Sequence, residues 1–143
     1  MLLRQPTIGR NVTLKIILDS NFLFVPAQFK IDIFEDMMNL LNQRFQPILL
    51  SPTRHELQTM AEKGSPKLRR QALMALKLAE KCSVVDVEKS EEETNDDVIL
   101  RVATRWKCPV ATNDRTLRQR LRDISIPVIY LRQKSRLELE GSI

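Results

Sequence analysis

The sequence predicts an α/β fold, a three-layer α/β/α sandwich around a central five-stranded parallel sheet. Short β-branched and apolar runs alternate with amphipathic helical segments along the 143 residues. Each run stops abruptly on polar residues, as a strand buried on both faces does where it leaves the interior. No repeat, low-complexity tract or linker breaks the alternation, so the reading is one domain over 1–143 with its core in 12–132.

The first strand is VTLKIIL (12–18), which ends at Asp19-Ser20-Asn21, and FLFVPAQFK follows as a loop. Residues 31–45 carry Ile33, Phe34, Met37, Met38, Leu40 and Leu41 at helical spacing. Asp32, Glu35 and Asp36 fall in the early turns, where the helix dipole favours anions. PILLS (47–51) is the second strand. Pro52 opens the next helix, with Thr53 and Glu56 in capping-box spacing, and Gly64-Ser65-Pro66 ends it. The following helix runs from Ser65 to about Lys81 and is expected to bury Leu68, Ala72, Leu73, Ala75, Leu76 and Ala79. Residues 83–87 form the third strand. The acidic segment EKSEEETNDD (88–97) leads into the helix VILRVATRW, CPVAT (108–112) is the fourth strand, Asn113-Asp114 opens the helix RTLRQRLRDI, and PVIYL (127–131) is the fifth strand. The charged tail 133–143 is expected to fray.

Composition removes several classes of function. The apolar share of 43% supplies a core without covalent staples. Three glycines, Gly9, Gly64 and Gly141, leave no glycine-rich loop to cradle a nucleotide's phosphates, which sets aside nucleotide hydrolases and dehydrogenases. Cys82 and Cys108, with a single histidine, make neither a disulfide framework nor a zinc site and fit a reducing compartment, hence the cytoplasm. Arg4, Pro6 and Arg10 interrupt the segment where a secretory peptide needs an apolar core, and no membrane association is expected.

In an open parallel sheet, ligands and chemistry sit beyond the carboxyl ends of the strands, and here the first polar residues after the apolar runs are acidic. Asp19 ends the first strand, Glu56 lies in the helical turn after the second, Asp96 and Asp97 open the helix after the third, and Asp114 follows the fourth. Acids also cap helices, and Glu56, Asp97 and Asp114 each suit that role. Asp19 does not, because no helix is expected directly after it. Carboxylates brought together repel, raise one another's pKa and attract a hard divalent cation, Mg²⁺ or Mn²⁺. Such an ion binds a phosphate oxygen and lowers the pKa of an attacking water, which is the chemistry of phosphodiester hydrolysis.

The net charge of +5 is unevenly spread. Residues 115–136 hold seven bases (Arg115, Arg118, Arg120, Arg122, Arg132, Lys134 and Arg136) against Asp123, a balance of +6, whereas 86–97 holds seven acids against Lys89, a balance of −6. A basic helix that starts beside an acidic pocket suits a phosphate backbone. Arg115, Arg118, Arg122, Lys67 and Arg70 are the expected contacts to such a nucleic-acid backbone.

These segments together resemble a PIN-domain nuclease over about 15–131: Leu18-Asp19-Ser20-Asn21-Phe22-Leu23, the stretch around His55-Glu56-Leu57, Asn95-Asp96-Asp97-Val98-Ile99 leading to Ala103, and Val110-Ala111-Thr112-Asn113-Asp114. The double acid and the run ATNDRTLRQRL are most similar to the archaeal-type small-subunit processome branch, which acts in ribosomal RNA processing; Ser20 stands where that branch often has threonine. The resemblance implies a PIN-like, Rossmann-like sheet and a metal-dependent endoribonuclease. It implies Asp19 and Asp96 as main ligands of Mg²⁺ or Mn²⁺, with Glu56 and Asp114 binding through water or holding a second ion. Asn21, Thr112 and Asn113 are then the polar support. Asp96 is preferred to Asp97 because it stands seven residues before Ala103, and Asp97 becomes an auxiliary ligand or a helix-turn acid. Water attacking phosphorus in line would leave a 5′-phosphate and a 3′-hydroxyl. Precursor ribosomal RNA, ribosome-assembly proteins and a second copy of the chain are the implied partners.

Three other readings compete: a toxin-type PIN ribonuclease silenced by an antitoxin, a non-catalytic RNA-binding assembly factor, and a phosphoacceptor receiver domain. The last lacks its pair of acids, since Leu18 precedes Asp19, and has Val87-Glu88 where its acceptor should be. Trp106, Phe22, Phe24, Phe29, Cys82 and Cys108 read as packing residues, and His55 as a partly exposed structural histidine.

Overall fold

The computed structural model describes residues 13–143; Val12, expected in the first strand, and the segment 1–10 with Gly9 lie outside the described residues. The chain runs β1 (Leu14–Leu18), α1 (Ser20–Leu23), α2 (Val25–Phe29), α3 (Ile33–Leu41), β2 (Phe45–Leu50), α4 (Ser51–Lys63), α5 (Pro66–Ala79) and β3 (Ser83–Val85). It continues through α6 (Asn95–Trp106), β4 (Val110–Ala111), α7 (Arg115–Asp123), β5 (Val128–Arg132) and β6 (Arg136–Glu140). The strands form one sheet in the order β3-β2-β1-β4-β5-β6, parallel through β5.

Alternation along the strands builds the three layers. Ile16, Leu18, Leu49, Ala111 and Ile129 point to one face, where Phe22, Val25, Ile33, Met37, Leu57 and Ala75 of α1 to α5 cover them. Ile17, Ile48, Leu50, Val110 and Val128 point to the other, under Ile99 and Val102 of α6 and Leu117 and Leu121 of α7. All of the strand residues named here are 1% exposed or less, which is why the strands read as continuous apolar runs.

Several expectations are corrected. The segment after Asp19 is not a loop: it folds into α1 and α2, the latter started by Pro26, whose fixed φ suits a first helical turn. The third helix is shorter than 31–45, because Asn42 takes a left-handed φ of 52° that ends it and Phe45 already pairs with Leu14 in the sheet. The Thr53–Glu56 capping box does not form. The helix begins at Ser51, so Thr53 is an interior helical residue, 1% exposed, and Leu50 occupies the cap without a side-chain hydrogen bond. On α5 the buried stripe is Ala72, Ala75 and Ala79, while Leu73 faces outward, 58% exposed.

The tail 133–143 does not fray through its length. It turns back and adds β6 antiparallel to β5, with Leu131 opposite Leu137 and Arg132 opposite Arg136. The parallel five-strand frame stands, and β6 extends it by one antiparallel edge. Leu137 is 6% exposed and packs into the same apolar cluster as Ile129, which is the reason the strand holds.

Trp106 and both cysteines occupy the expected packing positions. Trp106 lies against the α6/α7 core with the Lys15 ammonium 4.9 Å from its ring centroid. Cys82 and Cys108 are free thiols that burial pushes up to about 12 and about 11, so neither is a ready nucleophile.

Candidate active site

The strand order reverses between β1 and β4, because the chain runs outward from β1 to β3 on one side and from β4 to β5 on the other. At such a switch point an open sheet leaves a crevice beyond its carboxyl ends. Asp19 and Thr112 are the residues that follow β1 and β4 there.

Asp19 is 4% exposed. Contrary to expectation it does cap a helix: its Oδ1 accepts a hydrogen bond from the backbone N–H of Ser20 at 2.8 Å, at the start of α1. Its Oδ2 accepts from the Thr112 hydroxyl at 2.7 Å and from the Asn21 amide at 3.1 Å. Thr112 Oγ1 in turn accepts from the backbone N–H of Asp114 at 3.1 Å. The Asn21 Oδ1 accepts from the Asn113 backbone N–H at 2.9 Å, and the Asn113 Oδ1 from the Leu131 N–H at 2.8 Å. Asn21, Thr112 and Asn113 therefore tie the ends of β1, β4 and β5 into one polar network around Asp19. A carboxylate offers about four lone-pair directions, and the network leaves one of Asp19's open.

Electrostatics join the remaining acids to this centre. Burial pushes the Asp19 carboxyl up to about 6 against the lowering effect of the Thr112 hydroxyl, and the carboxylates of Asp96 and Glu56 add to the rise. Asp96, half-buried in the first turn of α6, is also raised: first by burial, then by Asp114, with Arg120 opposing and Glu56 and Asp97 adding. Asp19, Glu56, Asp96 and Asp114 thus share one field of mutual repulsion. Asp114 also caps α7, its Oδ1 accepting from Leu117 N–H at 2.9 Å.

Asp97 is engaged elsewhere. Its Oδ2 accepts from the Thr94 backbone N–H at 3.0 Å while its own N–H donates to Thr94 Oγ1 at 3.1 Å, a capping box that the sequence reading did not assign to this helix. Its Oδ1 meets Arg120 at 2.9 Å, and these bonds, Thr94 first, hold its carboxyl below the usual range.

Among the described residues, no three Asp, Glu, His or Cys side chains stand close enough together to ligate one ion directly. The donor set is nevertheless all oxygen and highly anionic, which suits a hard cation that keeps several waters and takes one or two direct carboxylates. The open lone pair of Asp19 and the repelling carboxylates around it fit a hydrated Mg²⁺ or Mn²⁺ in that manner.

Two clefts flank the acids. One, about 650 Å³, lies along α4 and α6 between Pro52, His55, Glu56, Met60, Lys89 and Asn95. The other, about 620 Å³, is walled by Asn21, Phe29, Asn113, Arg115, Gln133 and Lys134. Of the expected RNA contacts, Arg115 lines the second cleft. Arg118 lies over the Tyr130 ring at 4.0 Å and pairs with Glu140 at 3.6 Å, and Arg122 donates to the Ile126 carbonyl at 3.3 Å. Lys67 and Arg70 are exposed on α5 and line neither cleft. Sequence reasoning counted Lys134 and Arg120 in the basic cluster but gave neither a place at the site, and it did not single out Gln133, which sits with Lys134 in the β5–β6 turn; the alternation RLELE after a polar break was the available signal for that turn.

Comparison with known proteins decides the family. The family described as PIN like domain matches residues 16–134. The chain belongs to this family. Ribonuclease VapC4 of Methanocaldococcus jannaschii is 28% identical over 129 residues, covering 90% of this chain and 98% of that protein. The rRNA-processing protein FCF1 of Saccharomyces cerevisiae is 35% identical over 118 residues, covering 80% of this chain; the match spans 58% of the yeast protein's length. Among solved structures, the PIN domain endonuclease Utp24 superposes with a TM-score of 0.74 at 29% identity, over 90% of this chain and 92% of that one. The PIN fold and a nuclease lineage are thereby established, and the buried Asp19 network lies at the carboxyl ends of β1, β4 and β5 within the matched residues. No helix among the described residues is long and apolar enough to cross a membrane.

Proposed function

We propose that this PIN domain is a metal-dependent endoribonuclease acting in ribosomal RNA processing in the cytoplasm, with Asp19, Glu56, Asp96 and Asp114 as its catalytic acids. The observation that carries the reading is the buried Asp19 carboxylate at the switch point. It is held in one orientation by Ser20, Asn21 and Thr112 and repelled by Asp96 and Glu56. A carboxylate buried so deeply without a cationic side chain is costly unless a bound cation offsets it.

Asp19 and Asp96 would hold Mg²⁺ or Mn²⁺, with Glu56 and Asp114 reaching it through water. Bound there, the ion supplies Lewis acidity toward a phosphate oxygen and lowers the pKa of the attacking water. The protein's own part is positional. Thr112 and Asn21 fix the Asp19 oxygens, Asp96 sits in the first turn of α6 within the field of Asp114 and Glu56 while Asp97 is occupied by Thr94 and Arg120, and Asp114 is fixed by its cap on α7. The rRNA-processing role is supported by the 35% identity to the yeast protein and the 0.74 TM-score with the Utp24 domain. Ribosome-assembly proteins and a second copy of the chain are the partners this role suggests.

A second reading, a toxin-type ribonuclease, is favoured by one observation: the match to the archaeal VapC4 ribonuclease runs over 98% of that protein. Incubating the protein and Mn²⁺ with end-labelled precursor ribosomal RNA and, separately, with a transfer RNA pool separates the two. Discrete cuts in the precursor with transfer RNA left intact support rRNA processing; the reverse pattern supports the toxin-type reading. Tight RNA binding with no cleavage in any divalent ion would support a non-catalytic assembly factor instead.

A further inference from the structure

The cleft between α2 and the β5–β6 turn carries features that the acid centre does not explain. It shares a wall with that centre: Asn21 donates to Asp19 at 3.1 Å, and Asn21 and Asn113 both line the cleft. Its volume of about 620 Å³ suits a nucleotide. Arg115 and Lys134 supply cations, the half-buried Phe29 and Leu131 supply apolar surface, and Gln28 and Gln133 supply amides that both donate and accept.

Both cations occupy positions that folding alone disfavours. Arg115 is the first residue of α7, where a positive charge opposes the helix dipole. Lys134 sits at φ 58° directly after Gln133 at φ 53°, two successive left-handed residues in the three-residue loop 133–135, which the Ser135 N–H closes onto the Arg132 carbonyl at 3.1 Å. Left-handed positions favour Gly or Asn, and long side chains are held there against the steric preference. Among the described residues neither cation makes an ion pair, whereas Arg118, Arg120, Arg132 and Arg136 each do.

We propose that this cleft is the subsite for the RNA nucleotide next to the scissile phosphate: Arg115 and Lys134 neutralise its phosphate, and Phe29 and Leu131 pack against its base or ribose. The inference rests on the endoribonuclease reading and goes beyond it by assigning the strand path to the β5–β6 side of the acids. The acidic segment 86–97 lies toward the opposite cleft, which offers a phosphate backbone only Lys89 and His55 beside Glu56. Single-stranded nucleic acid is held by just this combination of backbone cations and flat apolar surface.

The test uses a labelled single-stranded RNA. Binding is measured in chelator, where no metal-dependent cleavage occurs, and KM and kcat are measured with Mn²⁺. The variants are Arg115→Gln, Lys134→Asn and Lys134→Gly, with Lys77→Asn on exposed α5 as a control of equal charge change. The expected result is a KM and Kd raised about fivefold to tenfold per cation, with kcat little changed and the salt slope of binding shallower by roughly 0.7. Melting temperatures of Arg115→Gln and Lys134→Gly should stay level or rise, because each change relieves a disfavoured position. That separates lost binding from lost fold. If Arg115→Gln and Lys134→Asn match Lys77→Asn in both Kd and KM, the subsite is overturned while the nuclease stands. If wild type cleaves nothing but its binding still depends on Lys134 and Arg115, the cleft binds RNA, yet the nuclease reading falls and with it the subsite's place beside a scissile phosphate.

Discussion

Asp19 is a helix cap and, in the proposed function, also a catalytic acid. Its position was legible because an apolar run ends on it; its cap was hidden because FLFVP resembles a packed loop more than a helix start. The Asp19 carboxyl moves from 3.8 to about 6 on folding, so between those pH values the native state holds a proton that the unfolded chain has released. Metal-free stability therefore falls as pH rises through that window, by up to about 3 kcal/mol for a shift of this size. Asp19→Asn should raise the melting temperature of the metal-free protein at neutral pH and flatten its profile between pH 4 and 6. A loss of stability at neutral pH would contradict the electrostatic account. Mg²⁺ or Mn²⁺ competes with the same proton, so the thermal stabilisation each ion gives should be larger at neutral pH than at pH 5, and chelator should abolish it. Asp96 and Asp97, adjacent in sequence, diverge in environment: one faces the acids, the other is bound by Thr94 and Arg120. The Thr94-x-x-Asp97 spacing of a capping box was present in the sequence, but it was not used to set Asp97 apart from Asp96.

At the scale of elements, β6 is the instructive case. RLELE has a strand's alternation, yet its charges read as a solvated tail, and Gln133-Lys134 lacks the turn residues that announce a hairpin. What holds β6 is the apolar contact of Leu137 with the Ile129 cluster. Leu137→Ala should lower unfolding free energy by about 2–4 kcal/mol in urea titration; a tail without packing would lose less than about 0.5 kcal/mol. The misread start of α4 has a similar origin. Thr53 and Glu56 have the spacing of a capping box, but Pro52 fits equally well one residue inside the helix, and burying Thr53 decides the matter.

Across the whole molecule, the fold class was legible because strands buried on both faces leave uninterrupted apolar runs, whatever their order. The order itself was not, since the reversal between β1 and β4 depends on which strands pair. That reversal is what brings Asp19 and Thr112, far apart in the chain, into hydrogen-bond contact at the ends of β1 and β4. The charge asymmetry completes it, with acids on one flank and Arg115 and Lys134 on the other.

The most direct measurement is cleavage of end-labelled precursor ribosomal RNA by wild type, Asp96→Asn and Asp97→Asn in Mn²⁺, Mg²⁺ and chelator, with melting temperatures alongside. The account predicts discrete products in either ion, none in chelator, none from Asp96→Asn at a melting temperature within a few degrees of wild type, and retained cleavage by Asp97→Asn. An Asp96→Asn protein that cuts as wild type does, or cutting that persists in chelator, would contradict it.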